Sequence, residues 1–153
     1  MSAPPPPAAS PLAALLAREE GLRLAVYDDA TGKPLLPGMR LVGHPTIGIG
    51  RCLDRKGISR AEALALLEND TAEVRAQVAA ALPWSAALGD TRRMVLEAMA
   101  FQMGIAGLLK FRVTLAAIER GDFAAAAEGM LASAWARQTP ARAARMAALL
   151  REG

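Results

Sequence analysis

Two stretches decide the reading of this chain: Glu20-Gly-Leu-Arg-Leu-Ala-Val-Tyr-Asp-Asp29 and Thr46-Ile-Gly-Ile-Gly50. The first opens where a helical run closes. Ser10-Pro11 gives that run a hydroxyl cap followed by a proline at its first turn. Leu12, Leu15 and Leu16 then form an apolar stripe expected to be buried, and Gly21 stops the helix after Glu19 or Glu20. Leu24, Val26 and Tyr27 read as a short strand, and Asp28-Asp-Ala-Thr-Gly32 as a turn. From Lys33 to Pro45 the prolines at 34, 37 and 45 and the glycines at 38 and 43 forbid a helix. Within that segment Met39–Val42 is expected to pair with Thr46–Ile49 as an irregular hairpin, and Asp54–Gly57 makes another turn.

Beyond Gly57 the period changes. Ser59-Arg-Ala-Glu62 is a capping box, and Leu64, Leu67, Val74 and Val78 continue at helical spacing to about Ala81, before Pro83. Asp90 is expected to cap a run whose apolar side is Met94, Val95, Ala98 and Phe101. Gly104 and Gly107 interrupt the chain before a helix through Leu115 and Ile118. Asp122 starts another through Met130, and Thr139-Pro140 launches a last one to Arg151. No internal repeat of fixed period is present. The expected fold class is α+β, mainly α: a small β-rich lobe and a helical lobe of about five helices. Residues 1–10 read as a solvated, disordered proline-rich tail. The domain is placed at 11–153, with its lobes at 11–57 and 58–153.

Composition supports this layout. With 53% hydrophobic residues, only 4% aromatic and many alanines, the chain favours helices over a β sandwich. A net charge of +3 suits any anionic partner without choosing among them. Cys52 is the sole cysteine, so no intramolecular disulfide can form. Pro4 to Pro7 break any apolar signal region, and no apolar run reaches the ~20 residues that cross a bilayer. Neither a secretory signal nor stable membrane insertion is expected.

Glu20, Asp29 and Thr46 are the candidates for chemistry, and each has an ordinary alternative. Glu20 fits a solvent-facing helix end, Asp29 a plain turn residue, Thr46 a β-branched strand residue. Periodicity leaves open whether Glu19 or Glu20 turns toward the leucine stripe, where desolvation raises a carboxyl's pKa as a general acid requires. Two carboxyls from different elements are what cleavage of a glycosidic bond needs, one to protonate the leaving oxygen and one to serve water. A crevice between lobes is the favoured place for such a site. The glycines at 48 and 50 lack the rest of any phosphate-binding signature. His44 is the only histidine and comes with no nucleophile motif, and with one Cys and one His a zinc site would need several carboxylates, so none is expected. Neither metal nor cofactor is expected. Cys52 reads as a small buried residue, Trp84 and Trp135 as core anchors, and Arg137, Arg142, Arg145 and Arg151 as a solvated face.

Taken together, Glu20-Gly-Leu-Arg-x3-Tyr27-x-Asp29 and Thr46-Ile-Gly-Ile-Gly50 closely resemble the phage lysozyme (endolysin) family, glycoside hydrolase family 24. Asn69-Asp70, Phe101-Gln-Met-Gly104 and Trp135-x-x-Gln-Thr-Pro-x-Arg142 agree with it, so the resemblance spans about 12–151. It implies a two-lobed lysozyme fold and hydrolysis, with inversion, of the β-1,4 bond between N-acetylmuramic acid and N-acetylglucosamine in peptidoglycan. It places the acid on Glu20 by its Glu-Gly-Leu-Arg context, gives Asp29 the attacking water, and lets Thr46 help hold it. Phe101 and Thr114 would line the sugar-binding cleft. Residues 30–45, including Pro34, Pro37, Gly38 and His44, replace a much shorter family connection between aspartate and threonine. Arg51 stands where a histidine is often found, and the sheet after Gly50 is cut short.

The expected partner is a peptidoglycan glycan strand, not nucleic acid, which the carboxyl-lined segment would repel. A monomer is expected, made in the bacterial host cytoplasm and acting on the wall in cell lysis, after release helped by a separate membrane-permeabilising protein. The alternatives are a lytic transglycosylase, in which Asp29 is dispensable, and a catalytically silent wall-binding or phage structural module.

Overall fold

The computed structural model describes residues 10–153, so the proline-rich tail expected for 1–10 lies, apart from Ser10, outside the described residues. The order is α1 (Pro11–Glu20), β1 (Arg23–Asp28), β2 (Pro45–Gly48), β3 (Arg51–Cys52), α2 (Leu53–Lys56), α3 (Arg60–Ala81), a 3-10 turn (Pro83–Ala87), α4 (Asp90–Leu108), α5 (Arg112–Glu119), α6 (Phe123–Leu131), α7 (Ala134–Gln138) and α8 (Pro140–Glu152). This is the mainly helical α+β fold read from the sequence. The chain divides into two compact units, one ending at Ala63 and one running Leu64–Gly153.

In the first unit a three-stranded antiparallel sheet runs in the order β1-β2-β3. Thr46 is the hub of its register, opposite Tyr27 on one side and Cys52 on the other. Gly48 and Gly50 turn the β2–β3 hairpin at φ of 67° and 70°, a left-handed conformation that side chains resist. The hairpin expected between Met39–Val42 and Thr46–Ile49 does not form, because β2 pairs with β1 and β3 instead. Segment 33–45 folds back as a loop, tied down by a Tyr27–Pro34 bridge and a Leu35 N–H bond to the Val26 carbonyl at 2.9 Å. The turn expected at 54–57 is the single-turn helix α2. The stripe of α1 is corrected too: no residue of that helix is buried, and Leu12 is 64% exposed. Helical spacing of leucines identifies the helix but not what covers it.

Ser59 and Glu62 make the capping box as read: the Glu62 N–H donates to Ser59 Oγ at 3.2 Å, and the Ser59 N–H to Glu62 Oε2 at 2.7 Å. Those bonds hold the Glu62 carboxyl below its ordinary pKa, the Ser59 main-chain bond contributing most. Arg51 adds an ion pair to Glu62, joining β3 to the start of α3.

The second unit buries Val95, Leu96 and Met99 of α4 against Leu115 and Ile118 of α5, Met130 of α6, and Ala143, Ala147 and Leu150 of α8. Alanines make this possible with few aromatics. Ala126 and Ala127 of α6 and the Ala143/Ala147 pair of α8 are buried small residues on helices that pack together. The buried face of α4 is rotated from the one expected: Val95 is inside, while Met94, Ala98 and Phe101 are exposed. Gly104, at φ 74°, kinks that helix where the sequence showed an interruption. Its cap position is Gly89, so Asp90 is the first helical residue and pairs with Arg93. Asp122 caps α6 as read, accepting from the Ala125 N–H at 3.1 Å. Thr139 holds the N-cap position of α8 ahead of Pro140 as read, but its hydroxyl makes no capping bond and donates instead to the Trp135 carbonyl at 3.1 Å.

Candidate functional site

The candidate site of the first unit is organised around β2. The chain enters that strand at His44, and the His44 backbone grips Asp29 twice. Its N–H donates to Asp29 Oδ1 at 2.7 Å, and its carbonyl accepts the Asp29 N–H at 3.1 Å. The second oxygen, Oδ2, makes no hydrogen bond among the described residues, and Asp29 is exposed. One Asp29 oxygen is thus fixed while the other is available to water.

Gly43 makes this fit possible. A Cβ there would lie 2.1 Å from Asp29 Oδ1 and 2.7 Å from the Ala30 Cβ, distances that no side chain tolerates. The demand is for close approach rather than a left-handed backbone.

Thr46, mid-strand, is buried, and its hydroxyl donates to the His44 carbonyl at 3.2 Å. With its proton committed there, the hydroxyl has only lone pairs to offer another group.

At the far end of β2 the hairpin turn meets Glu20. The position a Gly50 Cβ would take lies 3.6 Å from Glu20 Oε2, so that carboxyl faces bare backbone at the turn. Glu20 is the last residue of α1, and Gly21 at φ 72° ends the helix there. Glu19 and Glu20 are both exposed, so the leucine stripe shields neither. Asp29 and Glu20 therefore sit at opposite ends of one short strand, with Thr46 between.

Asp28 is the residue that sequence reasoning undervalued. It is 4% exposed, and its carboxylate collects four backbone N–H groups: Val42 at 2.6 Å, Ala30 at 2.9 Å, Gly43 at 3.1 Å and Thr31 at 3.3 Å. These bonds, that from Val42 foremost, pull its pKa below the ordinary 3.8 against the opposing effect of burial. Asp28 thereby pins the 33–45 loop to the turn that carries Asp29. Its signal in the sequence was the Asp28-x-Ala30-Thr31 turn, but the partners at 42 and 43 are invisible to local reading.

A second cluster is built on the His44 side chain. His44 Nδ1 is 2.8 Å from Asp54 Oδ2, the Cys52 thiol donates to Asp54 Oδ1 at 2.9 Å, and an Arg55 guanidinium nitrogen is 2.7 Å from His44 Nε2. Guanidinium only donates, so Nε2 accepts and Nδ1 carries the ring proton toward Asp54. The thiol bond to Asp54 raises the Cys52 pKa; that bond, followed by the one from His44, lowers that of Asp54. Cys52 is half-buried and hydrogen-bonded, not the plain core residue expected.

In the second unit, Phe101 and Thr114 are not brought together. Phe101 lines a cavity of about 370 Å³ with Gln102, Trp135, Arg142 and Arg145, whereas Thr114 lines another of about 390 Å³ with Phe111, Gly129 and Ser133. Trp135 is a core anchor as read: its indole N–H donates to Gln102 Oε1 at 3.1 Å, and its ring meets Phe111 edge-on. The Thr114 hydroxyl is packed against Gly129, where a Cβ would come within 2.9 Å of it.

The family model for phage lysozyme matches residues 17–151. Among curated relatives, the pre-baseplate central spike protein Gp5 of Enterobacteria phage T4 is 31% identical over an alignment 170 residues long, gaps included, covering 93% of this chain and 28% of that protein. Probable T4-type lysozyme 1 of Dictyostelium discoideum is 38% identical over 66 residues, covering 43% of this chain and 39% of that protein. The chain thus spans well under half the length of either relative.

Proposed function

The chain belongs to the phage lysozyme family, and from that premise we propose that it hydrolyses the β-1,4 bond between N-acetylmuramic acid and N-acetylglucosamine of peptidoglycan, with inversion. Glu20 protonates the leaving glycosidic oxygen. Asp29, one oxygen held by His44, uses the other to orient and deprotonate the attacking water, and Thr46 lends that water a hydroxyl lone pair.

The observation that carries this reading is a carboxyl at each end of β2, one facing the turn and one gripped at the strand's entry. Inversion requires two carboxyls ~6.5–9.5 Å apart with a water between them, and carboxyls carried by separate elements at the two ends of one strand suit that requirement better than a retaining pair in contact at ~5–5.5 Å. The cationic surface favours an anionic wall, an attraction that weakens as salt rises. Phe101 is proposed to contact the glycan strand through its exposed ring, whereas Thr114, only 4% exposed, is proposed to shape the wall of its own cavity. The enzyme is proposed to work as a monomer in host lysis, reaching the wall after release from the cytoplasm.

The test is clearing of a peptidoglycan gel. Glu20→Gln is expected to lower turnover by about 10²–10⁴-fold, the usual contribution of a general acid. Its melting temperature should stay unchanged, since the side chain is exposed and makes no hydrogen bond among the described residues. Full activity in that variant would overturn the assignment. Release of anhydro-sugars, with Asp29→Asn still active, would indicate a transglycosylase instead.

A second reading has one observation in its favour: the relative aligned over 93% of this chain is named as a spike protein. A lysozyme-like module of a larger phage particle, silent or active, fits that match. Wild-type inactivity on walls of several compositions would favour the silent form.

A further inference from the structure

We propose that His44, Cys52 and Asp54 form a binding site for one divalent metal ion of the zinc class, taking His44 Nδ1, Cys52 Sγ and an Asp54 carboxylate oxygen as ligands. All three donor atoms lie within 4.8 Å of one another. Tetrahedral zinc, with bonds of about 2.0–2.3 Å, sets its ligand atoms roughly 3.3–3.8 Å apart. His44 Nδ1 and Cys52 Sγ each reach a different Asp54 oxygen, at 2.8 and 2.9 Å, and the donor separations of the set, none above 4.8 Å, span that spacing.

The present bonds show why an ion fits. Two protons, one on the thiol and one on the ring Nδ1, both point at the same carboxylate, and a single dication can replace them. On binding, the Cys52 S–H bond breaks and its proton leaves to solvent as the metal–sulfur bond forms. The imidazole keeps its proton count, the proton moving from Nδ1 to Nε2 while the Nδ1 lone pair binds the ion. Arg55, which donates to Nε2 in the metal-free form, must then swing away, and its exposed position permits this. Thiolate and carboxylate together neutralise the dication.

The donor set selects the ion class. A thiolate and an imidazole suit zinc and its neighbours, whereas calcium and magnesium ask for oxygen alone. Three protein ligands leave a fourth position for water. The ligands come from the end of the 33–45 loop and from the β3–α2 junction, so the ion would clamp these two segments together. The His44 backbone also holds Asp29, so the clamp and that carboxylate share one residue.

Cobalt(II), a spectroscopic substitute for zinc, gives the test on the intact chain under a non-thiol reductant. Titration is expected to produce a thiolate-to-cobalt charge-transfer band and tetrahedral visible bands, saturating at one ion per chain and displaced by zinc. Cys52→Ser should lose the charge-transfer band. His44→Gln should bind more weakly by at least the roughly 10–100-fold that even an outer-shell partner commands. Arg55→Ala removes a competing cation and should bind at least as tightly as the wild type. Zinc should raise the melting temperature of the wild type and not that of Cys52→Ser. Absence of the band, an unchanged band in Cys52→Ser, or weaker binding in Arg55→Ala would overturn the site, whatever the outcome of the peptidoglycan assay.

Discussion

Gly43 and Asp28 show how much of the site rests on residues that carry no chemistry. Gly43→Ala puts a methyl group onto Asp29 Oδ1 and Ala30, so Asp29 or the loop has to move. Displacement of a reacting group by about 1 Å costs on the order of 10²-fold in rate. The expected outcome is a loss of that size in gel clearing with the helical unit intact by circular dichroism. Asp28 makes its own prediction. Because its folded pKa lies below 3.8, its carboxylate favours the folded form above the unfolded pKa, and that contribution disappears as pH falls through the folded value. Asp28→Asn should therefore melt earlier than the wild type at neutral pH, and the gap should close as pH drops below about 4. Melting curves at stepped pH check this; a gap that persists undiminished in acid contradicts the cradle. Neither residue stood out in the sequence, since Gly43 looked like loop punctuation and Asp28 like one half of a turn.

Among the elements, those announced by local chemistry appeared where expected. The Ser59/Glu62 capping box starts α3, Asp122 caps α6, and Gly21 ends α1, because each depends on groups within a few residues of one another. Ser59→Ala should cost about 1 kcal/mol of stability, read as a lower urea midpoint with unchanged slope. Elements that depend on distant partners read less well. Residues 39–42 lie close enough in sequence to 46–49 to suggest a hairpin, yet β2 takes β1 and β3 as neighbours, and the loop instead gives its N–H groups at 42 and 43 to Asp28. Ser133 caps α7 with its hydroxyl, accepting from the Ala136 N–H at 3.1 Å. That short helix was masked in the sequence by the stronger Thr139-Pro140 signal.

Across the whole molecule, stability resides most clearly in the core of the helical unit. Leu96 is fully buried there, and Leu96→Ala should cost about 2–5 kcal/mol, visible as a lower melting temperature. Arg92 ties the unit together over a long sequence separation. It donates from Nε to the Leu150 carbonyl at 3.0 Å, and its guanidinium stacks over Phe123 at 3.6 Å. By itself the sequence determined the α+β class and most helix ends, and its resemblance to a family pointed to Glu20, Asp29 and Thr46 as candidates. Caps, periodicity and motif spacing are short-range properties written directly in residue order. Only the tertiary structure decided that α1 keeps its leucines exposed, that Gly43 must be bare beside Asp29, and that His44, Cys52 and Asp54 converge. Those outcomes depend on which segments fold back onto one another, and that contact is set by the competition among all buried groups and not by any local pattern.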